Sequence, residues 1–307
     1  MGPALRAAHA AGRLDLPLPG SGRTRQRWTA LAELSAADLS LGRLAEAHAD
    51  ALAILAELGG PPGVGLWGVW AAEPPAARVT ATERAGRWTL DGRKAWCSGA
   101  EILDRALVSA HAADGRRLFA VPVPGLEVEK DSWSAVGMAA TGTVTVRLDA
   151  VAAEPVGGPG AYLDRPGFWH GGAGVAACWY GGALGAARLL LAAARSRPLD
   201  PHALAHLGAV DALVAGLAAH LATAAAEIDA DPAGPGARLR QARLRARVEA
   251  GATEILDRVG RALGPGPLAT DPVQAQRAAD LPVYLRQSHA ERDLATLGEL
   301  AAEGAAW

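Results

Sequence analysis

Apolar positions along this chain change their period twice. Leu31, Leu34, Leu39, Leu41, Leu44, His48, Leu52, Ile54, Leu55 and Leu58 recur at three- and four-residue steps, which predicts helix with one face on a core. Ser40 can cap such a helix, and Gly59-Gly60-Pro61-Pro62 stops it; Gly12 to Gly22 is turn-rich and irregular. From Val79 the period falls to two. Val79, Ala81 and Glu83 alternate, Ala85-Gly86 turns, and Trp88 and Leu90 alternate again before Asp91-Gly92. Leu107–Ala110 and Leu118–Val121 flank the turn Ala113-Asp114-Gly115, and Val144, Val146 and Leu148 alternate within residues 143–151. Short strands at this spacing predict a small antiparallel sheet or barrel.

The last part returns to helical period. Pro166 to Ala187 carries no formal charge and holds seven glycines with His170. It is too weakly apolar to insert in a bilayer and reads as a helix buried in protein. Gly174, Cys178, Gly181, Gly182 and Gly185 share one stripe, where small residues let another backbone come close. Residues 201–229, 238–263 and 272–300 are each long enough to cross a bundle, and Val248, Ala252, Ile255, Val259 and Leu263 form an apolar stripe. Asp231 to Gly236 and Gly264-Pro265-Gly266-Pro267 connect them. The expected domains are residues 1–63 (a reduced helical domain), 64–160 (a β-barrel) and 161–307 (a four-helix bundle), an α+β fold.

Composition narrows the function. The 307 residues carry a net charge of −2, which argues against a global grip on nucleic acid or anionic lipid. The run Arg238, Arg240, Arg243, Arg245, Arg247 therefore reads as a solvated or interface face. Two cysteines, Cys97 and Cys178, give no disulfide framework and suit a reducing cytoplasm. No His, Cys, Asp or Glu cluster has metal spacing, and no GxSxG, P-loop or GxGxxG occurs. Arginine almost replaces lysine, with Lys94 and Lys130 the only lysines. Nine tryptophans supply most of the aromatic volume, and each indole N–H wants a partner.

Several words inside this order resemble the acyl-CoA dehydrogenase superfamily of flavoproteins. Trp88-Thr-Leu-Asp-Gly-Arg-Lys-Ala-Trp-Cys-Ser98 is similar to the family's strand pair ending in G-x-K-x-W-I-T. Trp70-Ala-Ala-Glu-Pro74 resembles its T-E-P turn. Trp133–Met138 and Thr143–Val151 resemble the strands that close its barrel, and Gly264-Pro-Gly-Pro-Leu268 stands where the family has a glycine pair. The resemblance implies the family's three-part fold, a homodimer or homotetramer, and FAD held by Ala71, Ala72, Trp96, Cys97, Ser98, Gly264 and Gly266. In it, Trp96 is the wall of the isoalloxazine, Ser98 serves the N5 edge, and the Ala71–Ala72 backbone serves the pyrimidine edge. Strand alternation would send Trp96 and Ser98 to one side and Cys97 to the other. The helix entered at Arg165 runs beside substrate in the family, which offers Trp169, His170, Trp179 and Tyr180 as pocket residues or as packing.

The departures bear on the reaction. The family's catalytic glutamate has no counterpart in Tyr284–Glu291, which leaves His289 and Glu291 as candidate proton acceptors, or Glu291 on a solvated face. Residues 171–177 lack the cation that CoA phosphates would need, Pro75–Arg78 lacks the family's serine, and the adenine-side word is blurred into Arg195–Leu199. Two enzymatic readings follow, each with a small-molecule substrate. One is α,β-dehydrogenation of an acyl thioester with hydride passing to the flavin and an electron-transfer partner. The other is a reduced-flavin monooxygenase or N-hydroxylase served by a flavin reductase. A non-catalytic scaffold subunit is the third.

Overall fold

The computed structural model describes residues 1–304. Helices α1 (Gly2–Ala10), α2 (Thr24–Ala37) and α3 (Leu39–Leu58) lead into strands β1 (Trp67–Trp70), β2 (Val79–Arg84), β3 (Arg87–Cys97), β4 (Arg105–Ala112), β5 (Gly115–Pro122), β6 (Glu127–Glu129) and β7 (Val144–Val156). There follow α4 (Ala161–Asp164), α5 (Pro166–Ser196), α6 (Pro201–Ala230), α7 (Ala237–Leu263), α8 (Gly266–Thr270), α9 (Pro272–Leu285) and α10 (Glu291–Gly304). The chain splits into two interleaved compact units. One holds Met1–Leu16, Leu44–Ala135 and Ala139–Phe168; the other holds Pro17–Arg43, Val136–Met138 and the chain from Trp169 onward. Helix α1 and most of α3 fall with the strands, whereas α2 falls with the later helices.

In the first unit β4, β2, β3, β7 and β5 pair in a ring that closes through β4–β5, a small five-stranded barrel, with β1 added beside β4 and β6 beside β7. Most pairs are antiparallel, as expected, but β1 and β2 each lie parallel to β4. Ala106–Ala110 of β4 are buried without alternation, the pattern of a strand covered on both faces. One cover is α3, whose Ala51, Ile54 and Leu55 form a core with Trp67, Leu107, Leu118, Ala120 and Val156. β1 was not legible in the sequence, since Trp67-Gly-Val-Trp70 is short and mostly buried.

In the second unit the glycine row of α5 does what its spacing predicts. A Cβ on Gly181 would overlap the carbonyl oxygen of Ala32 on α2, and one on Gly185 would sit 2.7 Å from that of Ala36. Both ends of α2 are completed from far along the chain. Asp229 of α6 accepts from Gly22 N, Thr24 N and Thr24 Oγ1 at 3.0, 2.9 and 2.6 Å, satisfying N-terminal donors. Arg277 of α9 donates to Ala36 O at 2.8 Å at the C-terminal end, where a cation complements the dipole.

The expected single helix over 272–300 is broken. α9 stops at Leu285, and α10 starts after Ala290, which has φ of 50°. Ser288 Oγ accepts from Ala290 N at 3.2 Å and Asp293 accepts from His289 N at 3.0 Å, so local side chains take over the backbone donors and end the helix. α5 and α6 are both long and apolar enough to cross a membrane by length and composition. The apolar window of α5 is 61% buried in this chain, whereas that of α6 is 28% buried.

Candidate functional site

The C-terminal ends of β1 and β3 meet in the barrel unit. The Trp70 indole donates to Ser98 O at 3.1 Å, which brings the Ala71–Ala72 segment beside Trp96–Ser98. Ala71 and Ala72 follow the last ladder pair, Trp70↔Val108, and are half-buried. At the end of β3 simple alternation fails. A register shift lies between Lys94 and Cys97, and Trp96 takes φ of 59°. Lys94 and Cys97 therefore both turn inward, and the Trp96 indole is left 55% exposed. A left-handed tryptophan costs about 1–3 kcal/mol, and such strain persists where the surroundings impose it. Ser98 Oγ pairs with Thr143 Oγ1 at 2.8 Å, and Thr143 with Thr141 at 2.7 Å. A hydroxyl has one donor and two acceptor sites, so Ser98, half-buried, keeps capacity for a further partner.

Beneath the Ala71–Ala72 segment lies a charged cluster. Glu73 accepts from Ser109 Oγ at 2.7 Å, stands 3.1 Å from Arg116 Nε, and meets His111 Nε2 at 3.0 Å. Lys94, almost fully buried, donates to Ser109 O at 2.8 Å and to Ser109 Oγ at 2.7 Å, and lies 3.7 Å from Glu73. Arg116 also donates to Ala71 O at 2.9 Å. Burial pulls Lys94 down to about 8, with the Glu73 charge opposing it. Burial pushes the Glu73 carboxyl up, but Ser109 together with Arg116, Lys94 and His111 leaves it below its usual value.

His289 sits in the exposed turn between α9 and α10, its Nδ1 3.1 Å from Asp293 Oδ1. The turn is held from α7: Arg245 donates to Gln287 O at 3.0 Å and to Gly172 O at 3.1 Å, while Arg286 pairs with Glu249 at 2.6 Å. Glu291 is exposed in the first turn of α10. Gly264 ends α7 with φ of 67°, and Gly266 opens α8.

The four aromatic pocket candidates have different surroundings. Trp179 is fully buried, edge-on to Tyr284 and covered by the Arg245 guanidinium at 4.4 Å. His170 Nε2 meets Pro232 O at 2.8 Å, and Arg238 lies over the half-buried Trp169. Tyr180 instead lines an open groove of about 180 Å³ with Trp28, Ala32, Leu184 and Leu221, and burial raises its phenol. Adjacent residues on a helix lie about 100° apart, so Trp179 and Tyr180 face different neighbours. Sequence reasoning missed Ser109, His111 and Arg116, which lie on β4 and β5; the β4–β5 pairing, which sets His111 opposite Arg116, and the β1–β4 pairing, which leads the chain on to Glu73, collect them around that carboxylate.

Residues 72–151 match the acyl-CoA dehydrogenase middle domain. No curated protein matches the chain in sequence. Among solved structures, methanesulfinate monooxygenase MsuC from Pseudomonas fluorescens superposes with a TM-score of 0.83 at 19% identity, covering 98% of this chain and 90% of that one. The 3-HSA hydroxylase from Rhodococcus sp. RHA1 gives 0.80 at 18% identity over 99% and 90%. The dibenzothiophene monooxygenase TdsC from Paenibacillus sp. A11-2, solved with FMN and indole, gives 0.78 at 23% identity over 88% and 81%. The chain thus has the acyl-CoA dehydrogenase-like fold, and residues 72–151, most of its barrel, match the middle-domain model of that family.

Proposed function

We propose that this protein is a reduced-flavin-dependent monooxygenase built on the acyl-CoA dehydrogenase-like fold. The observation that carries the reading is the meeting of β1 and β3. An exposed, backbone-strained Trp96 beside Ser98 and the Ala71–Ala72 segment offers an apolar wall and polar partners together, which fits a planar isoalloxazine. When bound in its reduced form, the flavin supplies the two electrons that, with O2, place one oxygen atom on a substrate and release the other as water. Trp96 would hold the ring face, Ser98 the N5 edge, and the Ala71–Ala72 backbone the pyrimidine edge; buried Cys97 supports the turn from behind.

Monooxygenation is favoured over dehydrogenation because Tyr284–Glu291, where the resemblance puts the base, has no glutamate at the family position. Like the charge-free start of α5, this removes what an acyl-CoA reaction requires. His289, oriented by Asp293, is the proposed proton-transfer group, and Glu291 is the weaker candidate. FMN is favoured over FAD: the adenine-side word is blurred in Arg195–Leu199, and TdsC was solved with FMN. Gly264 and Gly266 then need not meet the cofactor. A flavin reductase is the partner this reaction requires.

The test supplies FMN anaerobically and adds straight-chain acyl-CoA. No bleaching is expected, whereas reduced FMN with O2 and a suitable small molecule should give an oxygenated product. Bleaching at ordinary dehydrogenase rates would refute the reading. A homodimer or homotetramer belongs to the same proposal, since only 28% of the apolar window of α6 is buried in one chain. Light scattering at micromolar concentration should return at least twice the 31.3 kDa chain mass, and a monomer would count against it.

A further inference from the structure

The charged cluster under Ala71 holds more positive than negative charge. Lys94 and Arg116 share the single carboxylate of Glu73, and His111 adds to them whenever it is protonated. Lys94 donates to Ser109 O and Ser109 Oγ at 2.8 and 2.7 Å, and shares the Glu73 carboxylate, 3.7 Å away, with Arg116. Burying an ammonium that shares its one carboxylate with a guanidinium is costly, and an uncharged side chain of similar length would avoid that cost. The excess also has a direction. Arg116 bridges from Glu73 to Ala71 O, so the cluster abuts the segment assigned to the pyrimidine edge.

We propose that Lys94 and Arg116 form a buried cationic brace that makes this site prefer the reduced, anionic flavin to the oxidised, neutral one. The inference rests on the flavin reading above and adds the ligand's redox state to it. A reduced isoalloxazine carries its negative charge at the N1–C2 edge, where a nearby cation stabilises it; the neutral oxidised ring gains little. Arg116 has a second role as a positioning residue, because its bond to Ala71 O fixes the backbone that the ring would meet. The groups facing Lys94 are Glu73 ahead of β2, Cys97 on β3, Ser109 on β4 and Arg116 on β5, while His111 on β4 meets the other oxygen of Glu73. Burial keeps the Cys97 thiol neutral throughout the useful range. The cluster therefore loses a positive charge as pH rises through about 8, the value to which Lys94 is lowered.

The experiment measures the dissociation constants of oxidised FMN and of dithionite-reduced FMN, anaerobically, by flavin and tryptophan fluorescence. The wild type should bind reduced FMN about tenfold or more tightly than oxidised FMN at pH 7. Lys94→Met and Arg116→Gln should each bring that ratio towards one. Arg116→Lys should restore the ratio while both forms bind more weakly, which separates charge from positioning. In the wild type the ratio should fall between pH 7 and pH 9, and in Lys94→Met it should stay flat. A merely structural role would weaken both redox forms alike, and an unchanged ratio in both charge-removing variants would overturn this inference alone. No saturable binding of either form by the wild type would overturn the flavin reading and this inference with it. If Lys94→Met does not fold, Arg116→Gln, on the barrel's half-exposed side, decides the question.

Discussion

His289→Ala should lower oxygenation of the true substrate by about 10²–10⁴-fold, the usual cost of removing a positioned proton-transfer group. FMN affinity should stay within about twofold of wild type, because the proposed flavin contacts come from the barrel. The imidazole is a candidate because its Nδ1 is held by Asp293 at 3.1 Å, which leaves Nε2 for a second partner. Asp293→Asn should therefore cost less than His289→Ala, since an amide oxygen can still accept from the ring. The turn should survive either change: Arg245 ties Gln287 O, and Ser288 Oγ accepts from Ala290 N. Full activity in His289→Ala, measured with reduced FMN regenerated by a reductase, would remove the residue from the mechanism.

The largest expected effect on stability comes from Gly181→Val. The α5 backbone at Gly181 rests against α2, where an added Cβ would overlap the Ala32 carbonyl oxygen and crowd Ser35. Neither helix can yield locally. Asp229 and Arg277 fix the two ends of α2, and α5 is buried along most of its apolar window. Overpacking of this kind costs about 1–3 kcal/mol or more, and a β-branched side chain adds its own helix penalty. The melting temperature should fall by several degrees at about 2–4 °C per kcal/mol. Gly216→Ala on α6 makes the opposite test. A Cβ there meets nothing within 4 Å, so the change should stabilise by up to about 1 kcal/mol through helix propensity. Equal effects at the two positions, read by thermal denaturation, would show that helix propensity and not helix contact governs Gly181.

What the sequence made legible was what local pattern encodes. The glycine row of α5 announced a close backbone neighbour, and the word from Trp88 to Ser98 announced β3 and its place in the barrel. What stayed hidden needed long-range pairing or a local exception to period. Alternation could not foresee the shift between Lys94 and Cys97 that turns Trp96 outward. Nor could spacing foresee that Ser109, His111 and Arg116 would gather on Glu73, because strand pairing places them there. The break before α10 was masked because Arg286–Ala290 contains neither glycine nor proline; a left-handed Ala290 and two side-chain bonds make it. Trp179 read as a pocket residue because its packing against Tyr284 and Arg245 depends on α7 and α9.

The central claim is that the ends of β1 and β3 hold a flavin. Its most direct measurement is an anaerobic FMN titration of wild type and Trp96→Ala, followed by quenching of flavin and tryptophan fluorescence. The account predicts saturable binding of one flavin per chain, weakened about tenfold or more when the exposed indole is removed, as expected for loss of an aromatic stacking wall. It also predicts an unchanged melting temperature for the apo variant, since Trp96 is 55% exposed and contributes little to the core. No saturable binding in either redox state, or equal binding by wild type and Trp96→Ala, would contradict it.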